Sequence, residues 1–410
     1  MIDKSVLIVG GGVAGLSAAL DLSRFDIGVE IIEKSDFLGG HAIGFSCKAT
    51  DQCVKCGACM VEEKLKYVIE NPKIKYFLDS NIKKITNSKR FSVSLEKGPE
   101  YIDPQRCSGC GECFDKCPSK GAITRGFSKS NLPFYAISKE KCINIEDKSC
   151  TICQDICPEG AINLDKKETE FNTKADAIIV ATGFTPFNPE SKPYGYNLFK
   201  NVVTNLDLER MLRQESRAIR PSDNAQPKHI AFIQCVGSRD ANLNHLWCSK
   251  VCCGSALRMA RLIKARQPET EITFFYIDIQ TFGKDSEIFY KDVKEDVRMI
   301  RAIPGDILKT KDDSLSITFT DNTAHETVEE IFDLVVLSIG LTPCKGTQNV
   351  AKLLNIELAD TGFFNTSEES GLTSKDGIFT AGTAMGPMSI AETVANAGST
   401  AWQTLKYLNP

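Results

Sequence analysis

The sequence predicts an α/β fold: two units, each built around a parallel sheet, with a cysteine-rich module inserted into the first. Three observations carry this. An apolar strand runs into a glycine-rich turn, a helix and a second strand at the N-terminus. A second strand–turn–helix–strand order begins near residue 228. Between them lie two cysteine runs with matching flanks. At 410 residues the chain has room for two to three domains.

The first strand is Ser5-Val-Leu-Ile-Val9, followed by Gly10-Gly-Gly-Val-Ala-Gly15 and a helix from Leu16 to Phe25. Val29-Glu-Ile-Ile-Glu33 is the next strand, and strands return between Lys75 and Leu95. After the cysteine block from Tyr101 to Asn163, Ala177-Ile-Ile-Val180 is again strand, ending in Ala181-Thr182-Gly183. Lys228 to Gln234 opens the second α/β unit, with a helix to about Gln267 and a strand from Glu271 to Asp278. Leu334 to Ser338 and Gly377 to Gly382 read as strands, and Ser389 to Leu408 as a helix. Polar Arg213 to Lys228, with two prolines, reads as a boundary loop. The expected division is therefore 1–100 for the first part of a nucleotide-binding domain and 101–165 for the inserted module. Residues 166–215 continue the first domain, 216–345 form the second α/β domain, and 346–410 return to the first.

Composition narrows the function. The formal charge is −4, which excludes a strongly basic nucleic-acid footprint. The longest uncharged apolar stretch, Val6 to Leu20, is shorter than the ~20 residues a spanning helix needs. The start of the chain lacks the pattern of a secretory signal, so the expected location is the cytoplasm, with any membrane contact made through partners. The anomaly is 17 cysteines beside four scattered histidines. In a reducing compartment such clustering means metal or redox chemistry more often than disulfides.

Gly10-x-Gly12-x-x-Gly15 stands between strand and helix. Gly10 permits the tight turn, Gly12 a close approach to a pyrophosphate, and Gly15 close packing of helix on strand. The helix N-terminus at Val13 and Ala14 offers free N–H groups to phosphates. Glu33, with Lys34 beside it, ends the next strand, where a carboxylate accepts ribose hydroxyls. Glu33 followed by Gly39-Gly40 favours FAD over NAD, with His41 next to them as a further candidate. These motifs resemble those of the two-dinucleotide-binding-domain flavoproteins, the thioredoxin-reductase and glutathione-reductase type. That resemblance implies roles for Ala181, Thr182 and Gly183, and for Gly382 near the ribityl phosphate. It also directs the helix beginning at Ser389, with Ile390 and Thr393, toward the flavin pyrimidine.

Cys107-x2-Cys110-x2-Cys113-x3-Cys117-Pro118 matches the bacterial two-cluster ferredoxin run, whose fourth cysteine ligates the other cluster. The second half is Cys142-x7-Cys150-x2-Cys153-x3-Cys157-Pro158. Tyr101 to Cys107 parallels Ala136 to Cys142, and Cys117 to Ile123 parallels Cys157 to Ile162. By the crossed rule one [4Fe–4S] cluster takes Cys107, Cys110, Cys113 and Cys157; the other takes Cys117, Cys142, Cys150 and Cys153. Zinc is the alternative for paired cysteines.

Gln234-Cys235-Val-Gly-Ser-Arg-Asp240 followed by Trp247-Cys248-Ser-Lys-Val-Cys252-Cys253 is similar to the signature of the heterodisulfide reductase A-subunit family. That resemblance extends over nearly the whole chain. It implies an atypical [4Fe–4S] cluster on Cys235, Cys248, Cys252 and Cys253. It also implies an electron-transfer component of a multi-subunit oxidoreductase. Expected partners are the B- and C-type subunits or a quinone-interacting one, with ferredoxin or a hydrogenase- or dehydrogenase-type donor; a homodimer is left open. The flavin would either bifurcate electrons or relay them. Many members carry a lysine five residues after the cysteine pair, and here Arg258 stands there as a candidate flavin-tuning residue. Cys47-x5-Cys53-x2-Cys56-x2-Cys59 offers a fourth cluster, with zinc or structural thiols as alternatives. Cys344 is left without a role. The competing reading is a self-contained NAD(P)H oxidoreductase. Against it, Ile233 to Arg239 holds one glycine where a nucleotide turn carries three.

Overall fold

The computed structural model describes residues 4–87, 89–131, 133–283, 285–321, 325–367 and 371–409. The first sheet has the spatial order Ile378–Thr380, Ala177–Val180, Lys4–Val9, Ile27–Ile32, Ile74–Phe77, all parallel. Its central strands are apolar at successive positions because both faces are covered. Val6, Ile8 and Ile31 pack with Leu16, Leu22, Leu65 and Val68 from the helices Val13–Ser23 and Ala58–Glu70. Leu7, Val9 and Ile32 face the other way, onto Val93 and Leu95. Those two belong to an antiparallel sheet of Ser80–Asn87, Phe91–Lys97 and Thr169–Ala175.

Two boundaries differ usefully from expectation. The first helix begins at Val13 rather than Leu16, with Gly12 as an extended N-cap, so Gly15 lies inside its first turn. The second strand ends at Ile32, which places Glu33 just past its tip.

The second sheet repeats the design: Val202–Thr204, Leu334–Ile339, His229–Val236, Glu271–Phe275, Arg298–Ile300, again all parallel. It too carries a three-stranded antiparallel sheet, Ile307–Lys309, Leu315–Asp321 and Glu326–Phe332. Phe232 and Phe274 stack at 4.9 Å beneath the helices Asn205–Gln214 and Cys252–Arg266. This unit starts before the expected boundary at 216. Val202–Thr204 pairs with Leu334–Ile339, and the capping box Thr204/Asp207 launches a helix whose Leu208 and Leu212 enter the second core. The strand from Glu271 stops at Phe275 instead of Asp278, whose carboxylate turns to pair with Arg239. The chain enters and leaves the second unit side by side, because Phe184–Pro186 pairs antiparallel with Leu341–Pro343.

The inserted module hangs from a hairpin: Lys97 pairs with Thr169 at its base. Tyr101, Ile102, Ile123, Tyr135, Ile137 and Ile162 form its small core together with Cys113 and Cys153. Its two halves place Cys113 and Cys153 on the short helices Glu112–Lys116 and Ile152–Asp155.

Candidate functional site

The cradle at the carboxyl end of the first sheet is built from backbone. Gly10 has φ +112°, and a Cβ there would lie 2.3 Å from the Ala181 carbonyl oxygen. A Cβ on Gly15 would lie 2.0 Å from the Gly10 carbonyl oxygen, so the helix rests directly on the turn. Gly12 is different: a Cβ would meet nothing nearer than Gly40 Cα at 3.9 Å, and the facing loop is tied by Gly39 N–H donating to Gly11 O at 2.8 Å. Gly382, at φ +66°, sits against Ala14 and Thr393, so the third glycine motif closes on the first helix. The Ser389/Glu392 capping box starts the long helix Ile390–Leu408 beside it.

Glu33 is buried, and its carboxylate accepts from Gly11 N at 2.7 Å and from Ser35 N and Oγ at 2.8 and 2.7 Å. The expected ribose acceptor is thus also the brace of the glycine turn. Among the described residues Thr182 Oγ1 is buried without a hydrogen-bond partner, a donor waiting in the cradle. The His41 ring lies tilted against Phe184, centroids 4.8 Å apart, with Nε2 3.3 Å from the Phe184 carbonyl oxygen. Though solvent-accessible, it has enough protein around it for desolvation to hold its imidazole below the usual pKa. Lys34 reaches Cys344 Sγ at 3.3 Å. The donors, the glycine approaches and the orphaned hydroxyl together fit a dinucleotide such as FAD.

In the inserted module the cysteines ring two small, partly open cavities. Cys107, Cys110, Cys113 and Cys157 line one. Cys117, Cys142, Cys150 and Cys153 line the other. Each set draws one cysteine from the opposite half, the crossed grouping the spacing predicts. A single zinc would gather four sulfurs about 2.3 Å from one point. A ring around a cavity suits a cubane with irons at its corners. Burial, with neighbouring thiols adding to it, pushes Cys113 up to about 12 and Cys153 up to about 11.

The third set converges at the end of strand His229–Val236. Cys235 adopts φ +61° at a register shift in the ladder, which turns it out of the sheet. Burial pushes its thiol up to about 11, with Cys253 and Cys248 adding repulsion. Cys252 and Cys253 are the first residues of helix Cys252–Arg266 and are both buried. Their adjacent thiols interact, which raises Cys252 and lowers Cys253. Arg239 pairs with Asp278, and its charge beside Cys235 works against the upward push on that thiol. Beside Cys235, Gln234 is buried with neither amide atom bonded among the described residues.

A nucleotide turn would need open space here. The chain fills it. Gly237 sits against the Phe187 ring, Ser249 Oγ bonds to Ser238 Oγ and to Leu341 N, and Trp247 Nε1 donates to Leu341 O at 3.0 Å.

Cys47, Cys53 and Cys56 of the fourth set lie on the loop before helix Ala58–Glu70 and Cys59 in its first turn; Cys47, Cys53 and Cys59 are exposed and Cys56 half-buried. The second unit holds this loop. Arg258 Nε donates to Val54 O at 3.0 Å and its guanidinium lies over the Phe289 ring, while Gly57 packs on Ile390. Arg258 therefore braces the loop between Cys53 and Cys56. Sequence reasoning did not find Phe187, Arg239, Lys48 or Glu209. Of these Arg239 and Lys48 stood inside cysteine motifs; Phe187 and Glu209 carry no local signal.

Comparisons with known proteins agree with this geometry. A family model described as pyridine nucleotide-disulphide oxidoreductase matches residues 4–233. The chain is 34% identical over 423 residues to the A subunit of H(2):CoB-CoM heterodisulfide,ferredoxin reductase from Methanothermobacter thermautotrophicus, covering 98% of this chain and 63% of that one. It is 36% identical over 420 residues to the iron-sulfur A subunit of CoB--CoM heterodisulfide reductase from Methanocaldococcus jannaschii, covering 97% and 63%. It thus spans less than two thirds of the length of these curated relatives. In fold it is similar to thioredoxin reductase of T. acidophilum, with a TM-score of 0.55 at 15% identity over 98% of this chain and 99% of that one. Thioredoxin reductase of Lactococcus lactis gives the same TM-score and identity over 99% of each chain.

Proposed function

Because this chain belongs to the pyridine nucleotide-disulphide oxidoreductase family and is similar over nearly all its length to heterodisulfide reductase A subunits, we propose that it is an FAD- and iron–sulfur-containing electron-transfer component of a larger oxidoreductase. It would exchange electrons between ferredoxin or another redox donor and a disulfide-reducing partner protein in the cytoplasm. The observation that carries this reading is the pair of cavities, each ringed by four crossed cysteines, in a module hung from the dinucleotide-binding unit.

In this reading Gly10, Gly12 and Gly15 let the backbone approach the FAD pyrophosphate, Glu33 accepts from the ribose, and Thr182 and Gly382 meet the remainder. The ferredoxin-type quartets hold two clusters, Cys235, Cys248, Cys252 and Cys253 a third, and Cys47, Cys53, Cys56 and Cys59 a fourth. FAD, when bound, takes electrons singly or in pairs and each cluster takes one, so the set converts between the two. Among the described residues no helix is long and apolar enough to cross a membrane.

Anaerobic purification with native partners, followed by iron, sulfide and flavin analysis, tests this. At four irons per cluster the expectation is about 16 irons and one FAD per chain. Fewer than about 12 irons overturns the three better-grouped clusters. The filled space beyond Cys235 speaks against a nicotinamide site. NADH alone should leave the flavin oxidised, and rapid bleaching would favour a self-contained NAD(P)H oxidoreductase instead.

A further inference from the structure

A buried ion pair joins the two units. Lys48 Nζ lies 2.6 Å from Glu209 Oε1, with side chains only 3% and 2% exposed. The other Glu209 oxygen accepts from Ser46 N at 3.2 Å and Ser46 Oγ at 3.1 Å. Ser255 Oγ approaches Oε1 at 3.4 Å. Lys48 Nζ also donates to the Ser46 carbonyl at 3.1 Å. Ser46 and Lys48 flank Cys47 in the first unit. Glu209 belongs to helix Asn205–Gln214 of the second, and Ser255 follows Cys253 by two residues. One carboxylate therefore gathers donors from both sides of a cysteine group and from the helix that carries another.

Taking two charges out of water costs several kcal/mol per ion, and apolar replacements of buried pairs are often neutral or better for stability. Stability alone is a weak reason for this pair. We propose that Glu209 is a positioning residue. It fixes the Cys47 end of the cysteine loop onto the helix bearing Cys252 and Cys253, and its charge balances Lys48 beside that loop. The two groups outside the ferredoxin module then act as neighbouring electron carriers at a set spacing. This rests on the reading of Cys47, Cys53, Cys56 and Cys59 as a cluster.

The charges give a signed test. Reduction adds an electron, so an uncompensated cation nearby favours the reduced cluster and an uncompensated anion disfavours it. Glu209→Gln leaves Lys48 unbalanced and raises the midpoint potential of this cluster. Lys48→Met leaves Glu209 unbalanced and lowers it. The double variant returns close to the original value, and the other clusters move less.

The full chain, purified anaerobically with FAD and clusters, is titrated by potential under electron paramagnetic resonance. The signal is assigned by its disappearance in Cys56→Ser. Opposite shifts in the single variants, cancelling in the double, support the proposal. Shifts of one sign, equal shifts in all clusters, or none overturn it. If a single variant loses this cluster alone, recovery of loading in the double variant supports the pairing; loss of every cluster overturns it. A wild-type chain with about 12 irons and no Cys56-dependent signal overturns the cluster reading itself, which is a separate result.

Discussion

Replacing Cys157 with alanine should remove a cluster whose other ligands lie more than forty positions away by number, and spare the one formed by its sequence neighbours. Cys157 lines its cavity with Cys107, Cys110 and Cys113. Cys150 and Cys153, on the same short stretch, line the other cavity with Cys117 and Cys142. Each cluster carries four irons, so the single variant should lose about four per chain. The pairing shows in double variants. Cys157→Ala with Cys110→Ala removes two ligands of one cluster and should still cost about four irons. Cys157→Ala with Cys150→Ala strikes both clusters and should cost about eight. Iron and acid-labile sulfide analysis of anaerobically reconstituted protein reads the difference, and cluster spectra identify the survivor. The reverse outcome, eight irons from the first double and four from the second, would refute the crossed grouping. A loss of eight from Cys157→Ala alone would refute the idea that the two cavities load independently.

Three further outcomes follow from the same geometry. Gly15→Ala places a Cβ 2.0 Å from the Gly10 carbonyl oxygen, so it should lower thermal stability and weaken FAD binding roughly five- to 150-fold, an overpacking cost of about 1–3 kcal/mol. Gly12→Ala has room in the fold and should keep its melting temperature while losing FAD, as read by flavin fluorescence on titration. Ser389→Ala removes the hydroxyl that accepts from Glu392 N and should cost about 1 kcal/mol, seen as a small fall in melting temperature. Finally, burial raises Cys113 from its ordinary value near 9 to about 12. A thiol held protonated by the fold stabilises the cluster-free chain fully below pH 9, and that stability is lost as pH rises toward 12. Denaturant melts of the cluster-free chain should weaken across that window, with Cys113→Ala flattening the response.

The features written in the sequence are those carried by local chemistry. A glycine with φ +112° under a carbonyl, or a serine three residues before a glutamate, needs its residue type wherever the chain goes next. Duplicated cysteine spacing likewise announces its own partner. Features set by tertiary contact left less trace. Lys48, in a polar cysteine-rich loop, reads as exposed; only the arrival of Glu209 from residues far along the chain explains its burial. Val202–Thr204 is three residues long, too short for periodicity to assign to either sheet. The polar stretch that suggested a boundary near 215 is instead a loop inside the second unit, after its first strand and helix. Phe187 beneath Gly237 could not be paired with that turn from one sequence, because the contact spans the chain's entry into the second sheet.

The inserted module leaves and rejoins its host through two strands that are hydrogen-bonded partners, Lys97 opposite Thr169. Its ends are therefore already at the separation a tight turn would bridge. Such an attachment lets a short hairpin loop join the two strands with the antiparallel sheet in register; what the exchange would remove is the module's grip on its host, Asn131 Nδ2 donating to Leu38 O and Ser128 Oγ to Glu62. A chain that gained or lost this module would therefore have to re-form only the surface around Leu38 and Glu62, not the sheet itself.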